Sequence, residues 1–284
     1  MRTDNIDYLT PIQKTLLITL KGRALDHAAP QSILEDPVAP TLADRLGCVL
    51  DTVKLGAGVP EGIAIRSRTL DRAVGDFVAA HPDAVVVELG AGLETRMFRV
   101  AHPDTVDWYA IDLPEVIAVR DKLVPARDNA HSVGESLLSS DWANAIPAHR
   151  PTILVADGLI GFLTERDVEK LLRGITGHFH AGELVTNVYT ALTARLTRYY
   201  TKSVGVPKGF RGYGFNDPQH LCRLNPRLRF CDEQTIATVP EAKFLSGPTR
   251  FNARMLRYWP ALARCSMWVV RYQFGCGAGG EDGE

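Results

Sequence analysis

The run Ala84-Val85-Val86-Val87-Glu88-Leu89 breaks off at Gly90-Ala91-Gly92, and this junction constrains the fold more than any other feature of the chain. A short β-branched run with no polar alternation reads as a strand buried on both faces. Glycines at its end allow a tight turn and leave backbone that a ligand can approach. Similar runs recur at Thr105–Ile111, at 151–156 (PTILVA) and at Gly182–Tyr189, with Cys265–Phe274 as a final strand. Helical segments lie between them. Val116–Leu123 is one; another opens at Thr164-Glu165-Arg166-Asp167, where Thr164 and Asp167 match a capping box. Strands alternating with helices predict a parallel, doubly wound α/β sheet with helices on both faces.

The flanks differ in character. Residues 11–30 carry Ile12, Leu16, Leu20 and Leu25 at roughly helical spacing. Residues 56–62 (GAGVPEG) read as a loop and 63–80 as an amphipathic helix closed by His81-Pro82-Asp83. The expected organisation is a helical N-terminal extension or cap (1–82), a cofactor-binding core (83–189), a lid or substrate insertion (190–240), C-terminal core strands (241–274) and a disordered glycine-rich tail (275–284). The formal net charge is −1, from 32 basic and 33 acidic residues, so no global field draws the chain to nucleic acid or an anionic membrane. The five cysteines are widely spaced with no CxxC pair, which suggests neither a disulfide framework nor a zinc site. No metal is expected. The first residues, MRTDNIDYLT, contain no apolar signal core, and no apolar run is long enough to span a bilayer. The expectation is a soluble, cytoplasmic protein.

The glycine turn Val87–Thr95 has an acidic partner. Asp112 ends the second strand, twenty residues beyond Gly92, where a carboxylate can accept hydrogen bonds from ribose hydroxyls. NAD and S-adenosylmethionine sites share this layout, and two details separate them. A dinucleotide fingerprint wants a third glycine where Thr95 stands. Glu88, two residues before Gly90, gives ExGxG and can face the ammonium of a methionine moiety; as an alternative it caps a following helix. The balance favours S-adenosylmethionine over NAD.

Longer stretches carry a family resemblance. IQKTLLITLKGRALDHAAPQSILEDPVAPTL, AIRSRTLD, VVVELGAGLETRMFRV, WYAIDLPEVIAVRDKLVP, ILVADGLIGFL, FNDPQHLCRLNP and SMWVVRYQF together resemble the leucine carboxyl methyltransferase family in its wide sense, in particular a bacterial branch of polyketide O-methyltransferases. The resemblance covers about residues 10–274 and implies a class I S-adenosylmethionine-dependent methyltransferase fold. That fold is a Rossmann-like doubly wound sheet with its last strand antiparallel, here with an N-terminal helical extension and a helical or loop lid. It also implies site roles. Lys14 would lie near the cofactor, and Arg66 would pair with the cofactor carboxylate. Glu88, Gly90 and Gly92 would surround the methionine and ribose. Asp112, with Leu113, would take the ribose hydroxyls. Ser136-Leu137 would contact the adenine, and Asp157 would stand near the methionine. The chain departs from the family pattern in Glu94 for aspartate, Asp157 for glutamate, and Ser136 and Ser139 where an aspartate is usual. It also has Gly161-Phe162 in place of a tyrosine-containing turn, which would remove a hydroxyl near the reactive end.

Methyl transfer from a sulfonium is an in-line displacement that needs alignment and exclusion of water. A phenol or alcohol acceptor would benefit from a base, whereas a carboxylate needs none. No catalytic residue is assigned; His220, Tyr213 and Tyr199 are the candidates, with Asp217 and Tyr200 beside them, and packing or solvation is the favoured reading of each. Arg195, Arg198, Lys202, Lys208 and Arg211 make the lid basic, which suits a solvated face or an anionic acceptor; Phe210, Tyr213 and Phe215 suit a planar one. The expected function is O-methylation of a small-molecule acceptor, polyketide-like, phenolic or carboxylate, by a monomer or homodimer with no nucleic-acid or membrane partner. The alternatives are a protein C-terminal carboxyl methyltransferase, an inactive cofactor-binding scaffold and an NAD-linked dehydrogenase.

Overall fold

The computed structural model describes residues 6–139, 141–200, 212–245 and 247–275; the side chains of 197–200 and 247–249 also lie outside the description. The expected tail therefore falls outside it except for Gly275. A seven-stranded sheet is built from β1 (Val85–Leu89), β2 (Asp107–Asp112), β3 (Ala130–Gly134), β4 (Thr152–Ala156), β5 (Gly182–Asn187), β6 (Leu228–Thr235) and β7 (Trp268–Phe274). Its order is β3-β2-β1-β4-β5-β7-β6. Neighbouring strands from β3 through β5 are parallel, and β7 runs antiparallel to both β5 and β6. The doubly wound class with an antiparallel last strand is thus the observed one.

Burial on both faces explains the unbroken apolar runs. Val85, Val87 and Leu89 point into one core with Leu171, Leu172 and Ile175 of α6 (Glu165–His178). Ala84 and Val86 point into the other, against Leu70, Val74 and Phe77 of α4 (Val59–Ala80). A third core joins α1 (Leu16–His27) and α2 (Ala39–Leu46) to α5 (Pro114–Leu123); the short α3 (Cys48–Asp51) contributes Leu50 to it. The Thr164–Asp167 capping box is present in both directions, each partner satisfying the other's backbone N–H.

Several boundaries differ from the sequence reading. α4 begins at Val59, inside the segment read as a loop, because Gly58 takes a left-handed N-cap conformation and Pro60 fits the first turn. Ile12 and Leu25 are exposed, and the inward stripe of α1 is Leu16, Leu17 and Leu20 with the buried Arg23. The edge strand β3 (AHSVG) was not foreseen, since His131 and Ser132 face solvent and break any apolar run. β6 lies within the segment assigned to the lid; its polar residues and a register shift between Phe230 and Asp232 hide the strand pattern. Between β5 and β6 stand α7 (Ala191–Tyr200) and α8 (His220–Leu224). Among the described residues of 241–274 only β7 is a strand, preceded by α9 (Gly247–Met255) and α10 (Pro260–Ala263). No helix among the described residues is long and apolar enough to cross a membrane.

Candidate active site

The glycine loop leaves β1 with Gly90 at φ 66° and Gly92 at φ 47°, backbone that disfavours any side chain. The sequence placed a helix after this loop. The structure has a single 3-10 turn, Arg96–Phe98, before β2. No helix therefore stands behind the loop to satisfy its carbonyls and charges, and arginines do so instead. Arg23 of α1 donates through Nη2 to Leu93 O at 2.6 Å. Arg120 of α5 donates to Gly92 O at 3.1 Å and Glu94 O at 2.7 Å.

Beneath them lies a buried network of carboxylates and guanidiniums. Arg96 Nη1 is 2.6 Å from both oxygens of Glu88, and its Nε donates to Asp71 at 2.7 Å. Arg99 bonds Asp71, Glu94 and Asp36. Thr95 accepts from Arg23 at 2.5 Å and donates to Asp36 at 2.6 Å, so the hydroxyl that replaces a third glycine is a member of the network. At Glu94, Asp36 and Glu88 burial acts to raise the pKa, and neighbouring charge decides the outcome. For Glu94 it is outweighed by Arg99, Arg23 and Arg96, which hold the group well below its ordinary value. Asp36 is likewise held low by Arg23 and Arg99. For Glu88 burial prevails over Arg96 and the value is raised. Glu88 is therefore anchored to an arginine, and it caps no helix: the turn that follows the loop has Thr95 at its N-cap.

Above the carboxyl ends of the strands opens a cavity of about 730 Å³, where open α/β sheets bind ligands. Arg66, Glu88, Gly90, Gly92, Asp112, Leu113, Ser136, Leu137 and Asp157 all line it. Lys14 does not. Gln13 and Thr15 beside it do, while its ammonium turns to Asp7, 3.4 Å from the carbonyl oxygen. Asp112 accepts from Gly92 N at 2.8 Å and Leu113 N at 2.7 Å, one bond per oxygen. Its pKa is raised by burial against the pull of those amides and Arg120. Each oxygen keeps a lone pair for a further donor. Ser136 Oγ accepts from Leu138 N at 3.2 Å, which leaves its proton to donate. Arg66 Nε lies 2.7 Å from Asp157 Oδ1, and burial and Asp157 act on its pKa in opposite directions, with a net rise. Its Nη2 is buried with no hydrogen-bond partner among the described residues. An unpartnered guanidinium nitrogen, a carboxylate with free lone pairs and bare backbone between them fit the carboxylate and ribose of S-adenosylmethionine.

Of the candidate bases, Tyr213, His220 and Asp217 do not line this cavity. Tyr213 Oη is 2.7 Å from His220 Nε2, which is 3.3 Å from Glu165 Oε1, and Phe215 stacks on the imidazole. Neither Tyr213 nor His220 lines the cavity, and burial pushes the Tyr213 phenol well up. Asp217 pairs with Arg223 at the surface. The side chains of Tyr199, Tyr200 and Arg198, and all of Lys202, Lys208, Phe210 and Arg211, lie outside the described residues. Arg195 is exposed. Among the described residues, the phenol that lines the cavity is Tyr189. A Cβ at Gly161 would fall 2.7 Å from Tyr189 Cδ2 and Cε2, so the missing side chain at 161 is what admits this ring. Its place just past β5, at a strand's carboxyl end, was the available signal.

Comparison with known proteins identifies the family. The leucine carboxyl methyltransferase family pattern matches residues 17–176. The chain is 33% identical over 264 residues to the tetracenomycin polyketide synthesis O-methyltransferase TcmP of Streptomyces glaucescens, covering 93% of this chain and 94% of that one. It is 28% identical to an S-adenosyl-L-methionine-dependent methyltransferase of Gibberella zeae, covering 78% and 81% respectively. A crystal structure described as a putative methyltransferase from Thermobifida fusca shares the fold, with TM-score 0.56, 15% identity, and 89% and 93% coverage. The chain belongs to the leucine carboxyl methyltransferase family, and it is a class I methyltransferase that uses S-adenosylmethionine.

Proposed function

We propose that this protein methylates an oxygen of a small, largely apolar acceptor, as the name of the Streptomyces relative describes for that enzyme. The observation that carries the reading is the extent of the cavity. Besides the polar groups described, its lining includes Val59, Ile63, Phe162, Leu163, Met267 and Trp268, apolar surface that suits an organic ring system. S-adenosylmethionine supplies the activated methyl group. Arg66 holds its carboxylate through the unpartnered Nη2, Asp112 accepts from the ribose hydroxyls, and Ser136 and Leu137 flank the adenine. Asp157 keeps Arg66 oriented. The apolar lining would exclude water and hold the acceptor beside the bound cofactor, so the protein would contribute chiefly alignment. The place of action is the cytoplasm.

Calorimetric titration tests the cofactor half directly. S-adenosylmethionine and S-adenosylhomocysteine are expected to bind with about −8 kcal/mol, a micromolar affinity, and Arg66→Ala to abolish it; NADH is expected not to bind. Binding of NADH in place of the other two would overturn the reading.

A further inference from the structure

Residues 242–274 carry Lys243, Arg250, Arg254, Arg257, Arg264 and Arg271 and no acidic residue. The net charge of −1 thus conceals a segregated one. The first part of this stretch folds as α9, a 3-10 turn (Leu256–Tyr258) and α10. It turns small residues inward: Ala253 and Ala263 are buried. Its large ones face out, with Phe251 64%, Tyr258 77%, Trp259 55% and Leu262 56% exposed. Burial of apolar area favours the reverse arrangement, so these side chains serve something other than the core. We propose that this face is a docking surface for an anionic lipid membrane, held there peripherally by interleaved arginines and aromatic rings.

Phe251 and Met255 share a face of α9, and the Tyr258 and Trp259 rings meet edge to face with centroids 6.4 Å apart. Single exposed apolar side chains are ordinary, but a group of them marks an interaction site. The charges between them are uncommitted. Arg254 and Arg257 are exposed and form no ion pair among the described residues. Arg250 donates to Leu245 O at 3.2 and 3.0 Å, a carbonyl that leaves its charge unneutralised. Guanidiniums fork onto phosphate oxygens. Tryptophan and tyrosine settle at the level of the headgroups, and phenylalanine and leucine reach the acyl boundary. A second copy of this chain fits less well. A twofold axis would set arginine against arginine, with no acid on the face to answer it. Leu262 lies two residues before Arg264, which lines the cavity, so a docked chain holds that rim beside the headgroups. The near-zero net charge predicted no membrane partner; the attraction proposed here is local.

The test is co-sedimentation of the full chain with vesicles of phosphatidylcholine and phosphatidylserine, beside vesicles of phosphatidylcholine alone. The mixed vesicles are expected to bind it and the neutral ones to bind it far less. Each arginine is expected to contribute about fivefold, so Arg254→Gln combined with Arg257→Gln weakens binding about 25-fold. Of the four tryptophans, Trp259 is exposed and Trp108, Trp142 and Trp268 are buried. Brominated lipid is therefore expected to quench Trp259 alone, and Trp259→Phe to abolish the quenching. Arg254, Arg257 and Trp259 do not line the cavity, so the variants are expected to keep the parent's affinity for S-adenosylhomocysteine, which reports that they are folded. No binding to the mixed vesicles, equal binding to both kinds, or quenching that survives in Trp259→Phe overturns the inference. Two further outcomes name another occupant and overturn it as well. One is a dimer in sedimentation velocity that the double arginine variant dissolves. The other is retention on polyglutamate without binding to vesicles, as an acidic protein partner would give.

Discussion

Arg96 and Glu88 face each other beneath the glycine loop, with one guanidinium nitrogen 2.6 Å from both carboxylate oxygens. Both residues are buried, and Asp71 shares the same arginine. Replacing Arg96 with methionine fills much of the same space and strands Glu88 without its cation, while Asp71 keeps Arg99. Breaking a buried pair in this way costs about 3–5 kcal/mol. Urea unfolding of Arg96→Met against the parent measures it, and a difference under about 1 kcal/mol would mean that the network is not structural.

The same network makes stability depend on acidity. Glu94 and Asp36 have pKa values lowered in the folded chain, so unfolding returns them to about 4.5 and 3.8. Below those values the unfolded chain takes up more protons than the folded one. Their contribution is complete above the ordinary carboxylate range and drains away as pH falls through the lowered values. Glu88, with a raised value, acts in the opposite sense: its contribution is present at low pH and is lost as pH rises through its folded pKa. Asp112 is raised as well and acts in the same sense as Glu88, but Glu94 is held well below its ordinary value, so the melting temperature is expected to fall on acidification below about pH 4.5. Arg99→Gln, which removes a partner of both Asp36 and Glu94, is expected to lower stability at neutral pH and flatten the acid slope. An unchanged slope would disprove the assignment.

Gly161 and Tyr189 form a matched pair. Gly161→Ala puts a methyl group 2.7 Å from two ring carbons of Tyr189 and is expected to cost about 1–3 kcal/mol. Removing the ring as well relieves the clash, so the double variant with Tyr189→Ala is expected to be less destabilised than the sum of the singles. Simple additivity in denaturant unfolding would show that the two do not touch.

The Tyr213–His220 pair is expected to be structural. Tyr213→Phe loses one hydrogen bond, worth about 1 kcal/mol, and leaves the affinity for S-adenosylhomocysteine unchanged, because neither residue lines the cavity. A calorimetric titration of the variant checks this; a large drop in affinity would return the pair to the site.

Much of this protein is legible in its sequence. The uninterrupted run at Val85–Leu89, the glycines at 90 and 92, the carboxylate that ends β2 and the Thr164–Asp167 box each act within a few residues, through backbone sterics and local hydrogen bonds. Burial on both faces imposes a pattern that survives in one dimension, so the central parallel strands and the glycine loop with its acidic partner could be read directly. What only the tertiary structure decided depends on residues far apart in the chain. β3 and β6 lack an apolar run, and both owe their place to the neighbour they pair with. The helix expected after the glycine loop is absent, and Arg23, Arg96, Arg99 and Arg120 serve there in its stead. Tyr189 and Arg264 reach the cavity, and Lys14, Tyr213 and His220 do not. Periodicity records whether a side chain faces inward; which charge it meets there is settled only when distant segments pack together.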